Sequence, residues 1–352
     1  MARSDLVREA AWALINGIAR PKWKGTVFVI CGLHNRWFAE ALMLASHRVG
    51  AEPHVWVFDE DSFAKNLEAA SEKAVPMVPV VERSLLERSD VVFWLSQFDS
   101  LERFPEEVRG IDCAFWDGVH ESLKAKPRLL VNLPSARFVR DMGIDYDRFV
   151  RVFVDGVMVD YEKLGWSGLR VASRLDDKFV QVYDVNGTYL EFSLKGRSAG
   201  VEAVVPGGSG EVDIPSGEVY VAPVEDSANG VLVVDKLREH GVRRLRLDFS
   251  RGRIVDIHAD EGLDEFLSLL KGAEGGKDVL AEFGIGMNCG MKPVGWSVYD
   301  EKALGTVHVA IGNNMHMGGV NKASIHVDFV LYDPTVKVDE RVVMQRGELV
   351  GV

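Results

Sequence analysis

Apolar and polar residues change their period about half-way along the chain. Over residues 4–20, Leu6, Ala10, Leu14 and Ile18 form one helical stripe, with Ser4 or Asp5 available as a cap. Thr26-Val-Phe-Val-Ile-Cys31 is a continuous apolar run, the pattern of a parallel strand buried on both faces. Amphipathic Arg36–Val49 predicts a helix, Glu52–Phe58 a strand and Ser62–Lys73 another helix. Asp90–Leu95 and Leu129–Leu133 add two further strands. Strand alternating with helix implies a parallel sheet joined by crossovers. Ala136–Leu164 reads as helical, with breaks near Gly143 and Gly156.

From about residue 168 the pattern turns to hairpins. Phe179–Tyr183 and Tyr189–Phe192 flank Asn186-Gly187, a strong two-residue turn signal. Leu245–Phe249 and Ile254–His258 flank a turn at Ser250-Arg-Gly252, Pro206–Gly210 is a loop by composition, and Leu263–Leu270 is helical. The expected fold class is α/β: an N-terminal parallel-sheet α/β domain over 1–165, then a β-rich α+β domain over 166–352 that carries the chemistry. No Pro/Ser-rich linker marks the boundary, which rests on the change of period.

Composition narrows the partners. The chain has 352 residues, 47% of them hydrophobic, enough for two cores. A net charge of −12 with dispersed acids argues against nucleic acid and against an anionic membrane surface. Asp99, Glu102, Glu106, Glu107 and Asp112 cluster, the pattern of a solvated face. Cys31, Cys113 and Cys289 are far apart and odd in number, which predicts a reducing compartment and no disulfide framework. The start of the chain has no apolar signal core, and no 18-residue apolar stretch occurs, so a cytoplasmic protein is expected. Only Gly32 follows the first strand, and no phosphate-binding glycine motif is present. The first half is therefore expected to be structural.

The candidate chemistry lies near the C-terminus. In Ser324-Ile-His326-Val-Asp328-Phe329, alternation puts His326 and Asp328 on one face and Ile325, Val327 and Phe329 on the other. Residues two apart on a strand are about 6.6 Å apart along its axis, so an imidazole and a carboxylate can converge on one cation. His308 is likewise opposite Val307 and Val309 in Gly305–Asn314. Glu218, in Glu218-Val-Tyr-Val-Ala-Pro223, and Glu282, in Leu280-Ala-Glu-Phe-Gly-Ile-Gly286, are lone carboxylates in apolar strands. A buried charge of this kind requires a positive partner, and neither segment contains Lys or Arg. Three acids and two neutral imidazoles suit two divalent ions, with any remaining charge met by hydroxide or Glu301. Mixed oxygen and nitrogen donors favour zinc, cobalt or manganese over calcium.

These segments, with Glu225–Asp235 and Glu301–Gly312, resemble the thermophilic metallo-aminopeptidases of the aminopeptidase T type, in order over roughly residues 200–340. The resemblance implies a two-metal peptidase acting on short peptides, and a homodimer enclosing a chamber. It implies that Glu218, Glu301, His308, His326 and Asp328 bind metal and that Glu282 bridges the ions and is catalytic. Glu301 precedes His308 by more residues than the family pattern has. The family commonly has a tyrosine seven residues after the first metal histidine; Met315 stands there, with His316 beside it as an alternative catalytic donor. Ring-cleaving dihydroxypyridine dioxygenases are similar over the same stretch, and imply a second reading in which His308, His326 and Asp328 hold one iron. A third reading is a catalytically inactive relative.

Overall fold

The computed structural model describes residues 3–62, 65, 80–96, 123, 126–203 and 210–351. The helix expected at Ser62–Lys73, the acidic cluster of residues 99–112 and the loop at 206–209 lie outside the described residues. The chain divides into two compact units, residues 1–158 with 204–215, and residues 159–203 with 216–352.

The first unit opens with helix α1 (Arg3–Trp12), continued by a wider π-type turn over Ala13–Ala19. Strand β1 (Thr26–Gly32) is followed by α2 (Arg36–Arg48), β2 (Glu52–Phe58), α3 (Val80–Arg88), β3 (Val91–Leu95) and β4 (Pro127–Val131). Every residue of β3 is buried, and all but the first of β1, as a sheet covered on both faces requires. Helix α4 (Ala136–Asp141) ends before Gly143, and α5 (Tyr146–Val157) follows, capped by Asp145, which accepts from the Arg148 N–H at 2.7 Å.

Close to the expected place, α5 stops one residue after Gly156. Gly156 itself is buried inside α5, and the break falls at Met158–Asp160. Asp160 caps the next helix, α6 (Tyr161–Leu175), by accepting from the Lys163 N–H. A glycine inside a helix costs only about 1 kcal/mol against alanine, whereas a capping aspartate starts a new helix outright.

The second unit continues with the hairpin β5 (Phe179–Tyr183) and β6 (Tyr189–Ser193), then β7 (Gly200–Glu202). The chain then re-enters the first unit. Strand β8 (Gly210–Ile214) pairs parallel with β4, Leu129 opposite Val212, and completes a parallel sheet of order β2-β1-β3-β4-β8. A linear reading places a single break near 165; pairing across some 80 residues leaves no local signature.

The rest of the second unit is β9 (Glu218–Val221), β10 (Asn229–Leu237), β11 (Val242–Ser250), β12 (Arg253–His258), α7 (Leu263–Gly272), β13 (Leu280–Gly286), the turn α8 (Ser297–Asp300), β14 (Thr306–Gly312), β15 (His326–Tyr332), β16 (Thr335–Val338), β17 (Arg341–Gln345) and β18 (Glu348–Leu349). They form an antiparallel sheet of order β12-β11-β10-β6-β5-β16-β17-β18 and a second of order β15-β14-β13-β9-β7. Apolar residues of both sheets share one core, in which Phe192 of the first packs on Phe283 of the second at 5.2 Å between ring centres. The fold is α/β: a parallel-sheet unit and a β-rich unit. Among the described residues no helix is long and apolar enough to cross a membrane.

Candidate metal centre

Alternation on β9, β13, β14 and β15, interrupted at the start of β13 where Leu280 also enters the core, divides their sheet into two chemistries. Val219, Val221, Phe283, Ile285, Val307, Val309, Ile311, Val327, Phe329 and Leu331 enter the core. Glu218, Glu282, His308, His326 and Asp328 occupy the opposite face. Antiparallel register then sets them side by side. Gly286 pairs with Glu218, Gly284 with both Tyr220 and His308, Ala310 with both Glu282 and Asp328, and Gly312 with His326.

Small residues between the polar ones give the side chains room to converge. A Cβ on Gly284 would lie 2.0 Å from His308 Cε1 and 2.2 Å from its Nε2. The imidazole therefore lies across the backbone of β13, and only glycine permits that. A bulge between Leu280 and Glu282 shifts the register just before the acid.

Glu282 is the centre of the arrangement. Its Oε1 is 3.3 Å from His308 Nε2, and its Oε2 is 2.9 Å from His326 Nε2. His308 Nε2 also faces Glu218 Oε2 at 3.4 Å, and His326 Nε2 faces Asp328 Oδ1 at 3.3 Å. Two overlapping groups result, Glu218–Glu282–His308 and Glu282–His326–Asp328. In each, the ligand atoms lie within 4.8 Å of one another. His326 Nδ1 is 2.8 Å from the Asn313 carbonyl, which fixes its proton there and leaves the Nε2 lone pair aimed at the carboxylates. Glu301 follows α8 and is close enough for Asp328, His308 and Glu282 to act on its charge.

This donor set fits a divalent cation. Each Nε2 lone pair points at two carboxylate oxygens, an arrangement that repels unless a proton or cation lies between them. Buried Glu218 Oε2 accepts no hydrogen bond, so it is free to serve as a ligand. With protons as the only cations, burial disfavours the charged imidazoles, but the hydrogen bond and charge of Glu282, with Glu218, outweigh it and push His308 up to about 10. His326 is pushed up to about 11 against its own burial, by Asp328 and Glu282. Burial opposes ionisation of Glu282 as well, and the two histidines overcome it, holding that carboxyl far below its usual range. Burial pushes Glu301 up to about 7.

Residues 169–350 match the family described as thermophilic metalloprotease (M29). The chain belongs to this family. The family is one of metalloproteases. Aminopeptidase AmpS of Bacillus subtilis (strain 168) is 27% identical over 182 residues, 45% of this chain and 44% of AmpS, so the match spans less than half the length of that relative. Among solved structures, wild-type AmpT from Thermus thermophilus is similar over 99% of this chain and 100% of its own, with a TM-score of 0.74 and 18% identity. The 2,5-dihydroxypyridine dioxygenase of Pseudomonas putida KT2440 is similar over 100% and 99%, with a TM-score of 0.67 and 17% identity. At such identities these two likenesses concern the fold.

The candidate centre also holds residues that sequence reasoning did not single out. Lys302, 3% exposed, makes ion pairs with Glu202 at 2.8 Å and with Glu218 and Glu301 at 3.1 Å each. It supplies the positive partner that Glu218 requires, from a different segment. Burial pushes Glu202 up to about 7, against the pull of Lys302. Tyr220 shares the polar face with Glu218, and burial, with the charges of Glu202, Glu218 and Glu282, raises its phenol above the ordinary value. The adjacency Glu301-Lys302 and the spacing Glu218-x-Tyr220 were visible signals for two of these three.

His316 is on an exposed turn, Met315–Met317, with its ring edge-on to that of His326 at 5.8 Å between centres. The turn is pinned from behind. Glu225 Oε1 accepts from Asn314 Nδ2 at 3.0 Å and from the Val320 N–H at 2.8 Å, while Glu225 Oε2 pairs with Arg197, which also donates to the Gly318 carbonyl. Gly319 packs so closely on Asn314 that a Cβ would lie 2.1 Å from its side chain. The Gly318-Gly319 pair thus has a structural task.

Proposed function

We propose that this chain is a metal-dependent aminopeptidase using two divalent ions, zinc, cobalt or manganese, to release N-terminal residues from short peptides. The observation that carries the reading is Glu282, whose two oxygens face different histidines in two overlapping ligand groups. Glu218 and His308 would hold one ion and His326 and Asp328 the other, with Glu282 joining them and Glu301 completing the set. Charge supports the pair. Glu202, Glu218, Glu282, Glu301 and Asp328 against the ammonium of Lys302 leave four negative charges, the number that two divalent ions balance.

Ions so held would supply Lewis-acid polarisation of the scissile carbonyl and a nucleophilic water near neutral pH. The chain's own part is orientation. The Asn313 carbonyl fixes the His326 tautomer, Gly284 lets His308 reach the acids, and Glu282 sets the separation of the two positions. His316, beside His326 on its pinned turn, donates to the oxyanion that develops on the substrate, in the role of the tyrosine that Met315 replaces. The protein acts in the cytoplasm as a homodimer whose enclosed chamber admits short peptides and excludes folded proteins. That reading rests on the family likeness and on three well-separated cysteines.

Elemental analysis paired with a peptide panel tests the proposal. It expects two divalent ions per chain and release of single N-terminal amino acids. One iron per chain, with oxygen uptake on a hydroxypyridine, would overturn it in favour of the dioxygenase chemistry named for the second structural neighbour. His316→Ala should lower kcat by about 10²-fold with both ions retained; unchanged kcat removes His316 from the mechanism.

A further inference from the structure

The two ligand groups share Glu282 but differ in what surrounds them. Glu218, in the first group, gives its Oε1 to the Lys302 ammonium at 3.1 Å, leaving Oε2 to face His308 Nε2 at 3.4 Å. Lys302 also takes Glu301 Oε1 at 3.1 Å and Glu202 Oε2 at 2.8 Å, and the lysine is almost wholly buried. In the second group, the ion-pair contacts of Asp328 and of Glu282 Oε2 are with His326. One position is therefore flanked by a fixed positive charge that shares one of its ligands, and the other is a carboxylate pair around an imidazole.

We propose that Lys302 makes the two cation positions inequivalent, so that the Glu218–His308 position binds its ion much more weakly than the His326–Asp328 position. The inference rests on the two-ion reading. A buried ammonium acts on a neighbouring divalent ion in two ways. Direct repulsion falls with distance and is weakly screened away from water, so the adjacent position suffers more. Lys302 also draws electron density and orientation from Glu218, which reaches the ion through one oxygen where an unpaired carboxylate could use two. Both effects weaken the first position. Lys302 thereby makes one ion resident and the other exchangeable, and occupancy of the weak position would follow the free metal concentration.

The test is calorimetric and optical titration of chelator-stripped protein with Co²⁺. Wild type should take up two ions in two steps separated by about 10²-fold in Kd, a gap in keeping with the effect of outer-shell partners on metal affinity. His308→Ala should remove the weak step and His326→Ala the tight one. Lys302→Met should tighten the weak step at least tenfold relative to the tight one, and Lys302→Arg, which keeps the charge, should retain the gap. Glu202→Gln pulls the other way: it frees the ammonium from one counter-charge, and the weak step should weaken further. That variant keeps the idea testable if Lys302→Met does not fold. A purely structural lysine would change thermal stability without altering the ratio of the two steps. Two equal steps in wild type, or a ratio unmoved by Lys302→Met and Glu202→Gln, would overturn the proposal while leaving the two-ion reading intact. A single ion in wild type and in every variant would instead remove the two-ion reading itself.

Discussion

One sheet of this protein, β15-β14-β13-β9-β7, has two faces built by opposite rules. On the core face, Val309, Phe283, Phe329 and their neighbours are wholly buried and fill space with large apolar groups. On the other, large residues are spaced by Gly284, Gly286, Ala310 and Gly312, which leave room for side chains to lean together. Packing on the first face favours stability and makes no use of cations. The second gathers like charges into one place, which costs stability unless cations arrive. A single pleated strand such as β14 takes part in both, because successive residues point opposite ways.

The largest expected effect is on the polar face. Glu282→Ala removes the acid common to both groups and should lower peptidase activity by about 10³-fold or more. It should also abolish the rise in Tm that divalent metal gives the wild type, since an ion stabilises only the state that binds it. A metal-dependent Tm shift that survives this change would show that Glu282 is not a ligand.

Phe329→Ala, two strands away on the core face, should cost about 3–5 kcal/mol by denaturant unfolding, equally with and without metal. Unequal losses would mean that the two faces are energetically coupled. Gly284→Ala tests the floor of the site. A new methyl group at 2.0 Å from the His308 ring must push that ring aside, so metal affinity should fall about 10–100-fold. Stability without metal should change far less, which isothermal titration and thermal melts together can check.

The last contrast is a pH slope. His308 and His326 are raised from 6.5 to about 10 and about 11 in the protein without metal. Their folded values lie above the unfolded one, so their stabilisation is complete below about 6.5 and is lost as pH rises through 10 to 11. Glu282 is shifted the other way, and its contribution is present above about 4.5 and lost as pH falls below it. Chelated protein should therefore lose Tm steadily from pH 6.5 to 10, while metal-loaded protein, whose cations replace those protons, should show a flatter limb. Parallel curves would indicate that the histidines do not face the carboxylates in solution.

The amino-acid sequence by itself determined many of the strands and which of their side chains share a face. Val27–Cys31 had to be buried because it is apolar throughout, and the alternation in Ser324–Phe329 had to place His326 with Asp328. The hairpin at Asn186-Gly187 followed from its turn residues. Only the tertiary structure decided the rest. Register put Gly284 beneath His308 and Ala310 between Glu282 and Asp328, and register depends on pairing between distant segments. It also returned Gly210–Ile214 to the parallel sheet of the first unit, and it brought Lys302 against Glu218, 84 residues away. The physical reason is range. Periodicity and turn chemistry act over a few residues and can be read along the chain, whereas a buried charge is satisfied by whatever the folded chain brings within about 3 Å of it.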